Sequence, residues 1–149
     1  MSTEANIENA RRLFHAWGQA SDDVVDELVT PDFTVYYPLL QQSLHGPEAF
    51  KSLLRAIHAG APDIDVVIEE IKAIDDAVLL RWSEHGTHLG ELLGIPATGK
   101  RFNLTGLTLY RFRDGKVYEE RGEEDALGLL QQLGVVPSLE EIARRASQQ

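Results

Sequence analysis

The chain has 149 residues, a formal net charge of −10 and no cysteine. The acidity argues against nucleic acid as a partner, because such affinity comes largely from basic residues on phosphates, and the missing thiols exclude disulfides, thiolate nucleophiles and zinc–thiolate sites. No apolar run approaches the ~20 residues of a membrane span and the N-terminus MSTEANIENARR has no apolar signal core, so no membrane partner is expected and the expected location is cytoplasmic.

Ser2 or Thr3 can cap a first helix in which Ile7, Ala10, Phe14 and Trp17 recur at helical spacing, with Gly18 weakening its end. Ser21 can cap a second, short helix carrying Val24, Val25 and Leu28 and stopped by Pro31. FTVYY then alternates as a strand, and HGPEAF opens a third helix with Pro47 in its first turn and Phe50, Leu53, Leu54 and Ile57 as its apolar stripe. Strands are expected over 64–74, 77–88, 101–112 and 116 to about 123, with Asp75-Asp76 and Asp114-Gly115 as turns. Asp125 can cap a helix over ALGLLQQL, and SLEE at 138–141 is a capping box for a last polar helix. Helices first and strands second is an α+β pattern. One domain, 1–149, is expected, with the helix at about 138–147 as an appendage.

The stretch RWSEHGTHLG, Arg81 to Gly90, concentrates polar chemistry on a strand. Alternation puts Val78, Leu80, Trp82, Glu84 and His88 on one face and Arg81, Ser83, His85 and Thr87 on the other. The first set starts apolar and ends in a carboxylate and an imidazole, as a ligand pocket wall does; a strand end fraying into solvent gives the same pattern. His85 and His88 point to opposite faces, so no metal site is expected. GIPATGKRF shares only its T-G-K with a phosphate loop and reads as a turn.

GTHLGELLGIPATGKRF, with HGPEAF upstream and RDGKVYEERGEEDALGLLQQLG downstream, resembles the SnoaL-like polyketide cyclase family of the nuclear transport factor 2-like superfamily. The resemblance spans roughly Ile7 to Gly134. It implies a cone-shaped α+β barrel, a strongly curved mixed or antiparallel sheet wrapped on N-terminal helices around a deep apolar pocket. It also implies a small hydrophobic, polyketide-like or polycyclic substrate, no metal or organic cofactor, and a homodimer packed through the sheet. Leu107 and Leu109, on the outer face by alternation, suit such packing.

The family chemistry is an intramolecular aldol closure, with an aspartate on the last strand as acid/base. Here that position is Gly122, the family's glutamine and histidine positions fall on Gly106 and Thr108, and its asparagine position falls on Val35. Glu120, which shares parity with Tyr118 and Gly122, is the displaced candidate, together with Glu84 and His88; Glu120 equally fits a solvated charge cluster with Glu119, Arg121, Glu123 and Glu124, and Gly122 also fits a bulge or sharp bend. Acid/base cyclisation, isomerisation or hydrolysis is the expected class, and a non-catalytic binding or oligomerisation module is the alternative. The expected catalytic set is Glu120, His88 and Glu84. The expected ligand wall is Trp17, Val35, Tyr37, Leu54, His58, Trp82, Phe102, Gly106, Thr108, Tyr118 and Gly122.

Overall fold

A computed structural model describes residues 2–149. Helix α1 (Thr3–Gln19) starts where the Ser2 hydroxyl accepts from Ala5 N–H, and ends at Ala20, which adopts left-handed backbone at φ 53°. Helix α2 (Asp22–Leu28) is capped by Ser21 in the same way. It ends before Pro31, which lies inside strand β1 (Val29–Tyr36). Proline lacks a ladder donor, and the pairing of β1 is irregular between Val29 and Thr34, on either side of it. A two-residue strand, β2 (Leu44–His45), then pairs back on β1; it is too short to show as an alternation.

Helix α3 (Pro47–Gly60) buries Phe50 and Leu54. Strands β3 (Asp65–Ile74), β4 (Ala77–Thr87), β5 (Arg101–Arg113) and β6 (Lys116–Glu124) form a meander. Helix α4 (Ala126–Gln132) is capped by the Asp125 carboxylate, which accepts from Gly128 N–H, and α5 (Leu139–Ala146) by Ser138, which accepts from Glu141 N–H. No residue of α5 is buried. No helix among the described residues is long and apolar enough to cross a membrane.

The six strands run in the order β2-β1-β6-β5-β4-β3, with β1 and β6 parallel and the other pairs antiparallel. This corrects the expected barrel. Closure requires the outermost strands to pair with one another, whereas β2 and β3 are two separate edges of an open sheet. The apolar face needs no second sheet, because α1 packs on β3 and β4 and α3 on β1 and β2. The β3 edge carries exposed Asp65, Glu69, Glu70 and Lys72 and a register shift between Ile68 and Glu70, features that discourage edge-to-edge pairing.

A second irregularity decides the site. Arg111 pairs with Glu119 and Phe112 with Val117, leaving Tyr118 as an extra residue. The bulge puts Val117 and Glu120, three apart, both in the interior. It turns Tyr118 away, half-buried beneath the Arg113 guanidinium at 4.4 Å from its ring centre. Tyr118 is therefore not on the wall that unbroken alternation assigns to it.

Candidate active site

Between the sheet and the helices lies an apolar cavity with an open mouth. Trp82 and Glu84 enter it from β4, Phe102 and Leu104 from β5, and Glu124 from the end of β6. Trp17 of α1, Leu53 and Ile57 of α3, and Leu129 of α4 close the opposite side. Tyr37, Leu39 and Leu40 after β1, and Leu92 and Leu93 between β4 and β5, form the remaining wall. Edge-on aromatic contacts brace it: Trp17 meets Tyr37 at 5.5 Å and Phe50 at 5.2 Å between ring centres.

Two carboxyl groups interrupt this apolar lining. Burial first, then the neighbouring charges of Glu124 and Glu120, together hold Glu84 at a pKa of about 8, and among the described residues no donor or cation offsets them. Burial likewise lifts Glu124 to about 7; the Leu39 backbone N–H draws it partly back and Glu123 pushes it up. Removing a carboxylate from water disfavours its charge, and a like charge nearby disfavours it again. Near neutrality the pair therefore holds one group able to give a proton beside one able to take it.

Glu120 lies behind this wall, fully buried and not among the residues lining the cavity. Its Oε2 accepts from Trp17 Nε1–H at 2.8 Å and from the Tyr37 hydroxyl at 2.5 Å. Because Tyr37 spends its proton on Glu120, the Thr108 hydroxyl, 2.6 Å away, donates to the Tyr37 oxygen, and Thr108 in turn accepts from Trp82 Nε1–H at 2.9 Å. Burial raises Glu120 to about 7 despite the donors from Tyr37 and Trp17, which favour its charge. Its cross-strand neighbour Tyr110 also favours that charge, yet the Tyr110 hydroxyl and Glu120 Oε1 both lack a hydrogen bond of good geometry.

The glycines explain the packing. A Cβ on Gly122 would stand 2.1 Å from Tyr37 Cε1, so the Tyr37 ring fills the space where a side chain would project. A Cβ on Gly106 would stand 2.4 Å from Trp82 Cζ2. Gly122 thus leaves no vacancy beside Glu120.

Of the expected site residues, Trp17, Tyr37, Trp82, Glu84 and Phe102 reach the cavity. Gly106, Thr108 and Gly122 lie just behind it, as supports for Trp82 and Tyr37. Val35 and Leu54 belong to the packed core, and His58 Nε2 lies 2.5 Å from the Gly18 carbonyl.

His88 is fully buried but serves the loop after β4: Thr98 N–H donates to its Nδ1 at 3.3 Å, so its Nε2–H donates to the Ile95 carbonyl at 3.1 Å. The strand ends at Thr87, so period-two alternation no longer sets its direction. With both ring nitrogens engaged, His88 shapes the Leu92–Leu93 wall rather than facing a ligand. His88→Ala is expected to cost about 2 kcal/mol, as lost buried hydrogen bonds and packing do. Urea unfolding checks this, and amide exchange should quicken selectively over 92–98.

Glu124 is the cavity carboxyl that the sequence does not single out, although it shares parity with Glu120 and Gly122. Its acidic neighbours made it look solvated. Leu39, Leu40, Leu92 and Leu93 lie in loops, where no periodicity marks the inward face. Among the described residues no three His, Asp or Glu side chains converge as metal ligands.

Comparison with known proteins places this geometry in a family. The sequence pattern of the SnoaL-like polyketide cyclases matches residues 8–133. Aklanonic acid methyl ester cyclase DnrD of Streptomyces peucetius is 33% identical over 141 residues, covering 90% of this chain and 92% of its own. Nogalonic acid methyl ester cyclase of Streptomyces nogalater is 31% identical, covering 82% and 92%. The crystal structure of a protein assigned to the SnoaL-like polyketide cyclases, from Jannaschia sp. CCS1, superposes with a TM-score of 0.81 at 27% identity, covering 92% of this chain and 98% of that one. On the match across 8–133 and these relatives, the chain belongs to the SnoaL-like polyketide cyclase family.

Proposed function

We propose that the protein closes or isomerises a ring in an uncharged, polyketide-derived ester, with Glu124 as base and Glu84 as acid. The observation that carries this reading is Glu84: a carboxyl inside an apolar cavity, with no cation or donor to stabilise its charge. In an aldol closure, ionised Glu124 takes a proton from a carbon between carbonyls. The resulting enolate carbon attacks a ketone carbon, forming the new C–C bond. The ketone oxygen takes its proton from Glu84. Substrate and product are isomers, and proton exchange with solvent resets the pair. General acid–base help of this kind contributes about 10²- to 10⁴-fold, and a water-poor cavity that folds the chain supplies positioning.

The relatives' names support a methyl ester. Electrostatics supports it independently: Glu84, Glu124 and Glu120 cluster here, and among the described residues no Lys or Arg lines the cavity. A free carboxylate would be buried beside like charges. Aklanonic acid methyl ester should therefore convert to a product of equal mass and shifted retention. The free acid should react at least about 10-fold more slowly, one like-charge contact being enough for that factor. Absence of conversion with both the aklanonic and nogalonic esters would remove the reading. Tight binding without conversion would favour the ligand-binding module, to which Gly122, at the position of the family's aspartate, lends support.

A homodimer packed through the outer sheet face belongs to the same proposal. Leu107 is 45% exposed there, directly across from Arg81, which pairs with Glu70. Sedimentation should show a dimer at micromolar concentration, weakened by Leu107→Glu; a monomer throughout would contradict it.

A further inference from the structure

We infer that Glu120 is a positioning residue whose single carboxylate oxygen holds three aromatic walls of the cavity in one arrangement, and so sets which flat ligands the cavity takes. The inference rests on the proposed reading of the cavity as the ligand site.

Glu120 does not touch the cavity, yet every indole and phenol hydroxyl of the lining leads to it. Trp17 and Tyr37 donate to its Oε2 directly, at 2.8 and 2.5 Å. Trp82 reaches it through Thr108 and Tyr37, by contacts of 2.9 and 2.6 Å. An indole N–H only donates, so the chain runs one way, from Trp82 to Thr108 to Tyr37 to Glu120. It needs an acceptor at its end. A carboxyl oxygen can accept from both donors at once, and bonds to its ionised form are shorter and stronger than neutral ones.

The backbone is cut to match. Tyr37 reaches Glu120 only by lying across Gly122, where a Cβ would come within 2.1 Å of its ring. Trp82 reaches Thr108 only by lying across Gly106, where a Cβ would come within 2.4 Å. Two glycines and one carboxylate thus fix two rings, and Trp17 is fixed by the same oxygen. The slot between Trp17, Tyr37 and Trp82 is therefore set by residues a ligand never touches.

The test uses the whole protein with anthraquinone as a planar probe, followed by tryptophan emission, and with aklanonic acid methyl ester for kinetics. Tyr37→Phe keeps the ring and removes the link to Glu120; Glu120→Gln keeps the shape and weakens the acceptor. Each should raise the anthraquinone Kd and the ester KM by about 10-fold, the scale of a lost charge-assisted hydrogen bond. The change should fall on KM and not on kcat. The double variant should be little worse than either single one, because both cut the same chain.

Gly122→Ala, which leaves every polar group in place, should reproduce the loss by displacing Tyr37. Unchanged affinity in both Tyr37→Phe and Gly122→Ala, with native binding intact, would overturn the inference alone. A fall in kcat at constant KM in Glu120→Gln would overturn it by making Glu120 the base. Failure of the native protein to bind the probe or the ester would overturn the cavity reading and this inference with it.

Discussion

Glu84→Gln is expected to lower turnover of a methyl ester at about pH 7 by 10²-fold or more, the usual scale of a lost general acid, while ligand affinity stays within about threefold, because an amide preserves shape and hydrogen-bond donation. The amide keeps a donor but cannot deliver a proton to the developing alkoxide. Glu124→Gln should be as damaging, since it removes the base. The double variant should be scarcely worse than either single one, as for residues that act as a unit. His85→Ala is the control: that side chain is exposed on the outer face of β4, away from the cavity. Steady-state kinetics of the native protein and these four variants decide the matter. Native turnover should also be bell-shaped in pH, with limbs belonging to the Glu84–Glu124 pair near 7 and 8. Full activity in Glu84→Gln would remove it as the acid.

The same burial should make the fold less stable as pH rises from about 5 to about 8, against the usual trend for carboxylates. Glu84, Glu120 and Glu124 have folded pKa values of about 8, 7 and 7, all above the ordinary carboxylate range. Between the unfolded and folded values the native state binds more protons than the unfolded one. The slope of unfolding free energy against pH is then negative, and the stabilisation present below the unfolded pKa is absent above the folded one.

The combined loss is on the order of a few kcal/mol after allowance for relaxation and water entry. Glu27, Asp32 and Asp63 act oppositely. Their depressed values mean that their contribution disappears as pH falls through them, so stability should peak in the mildly acidic range. Urea unfolding at a series of pH values checks both limbs. Glu84→Leu should flatten the alkaline limb and raise stability there, at the expense of activity. Stability constant or rising over that interval would mean the carboxyls are better solvated than their burial implies.

Much of this was legible in the chain. Ser2, Ser21, Asp125 and Ser138 marked helix starts through the chemistry of the first-turn N–H groups, and each side chain accepts there. The parity of β4 carried Trp82 and Glu84 to the cavity wall. Parity failed where the backbone left the strand period. Tyr118 is displaced by a bulge that no local residue announces, and His88 sits one residue past the strand end.

Glu124 was concealed by its charged neighbours, although the pleat assigns it inward once β6 is followed to its last residue. The open sheet was also hidden. Alternation tells which face is apolar, but not whether helices or the sheet's own far side will cover it. The role of Gly122 needed coordinates, because it depends on Tyr37, far away in sequence.

The most direct test is a crystal structure of the protein with a bound polyketide-derived methyl ester or its cyclised product. The ligand should lie between Trp17, Tyr37 and Trp82, with the reacting carbonyl oxygen within about 2.6–3.2 Å of Glu84, as proton transfer requires, and the acidic carbon facing Glu124. A ligand outside the cavity, or one inside it whose reacting atoms approach neither carboxyl, would contradict the account.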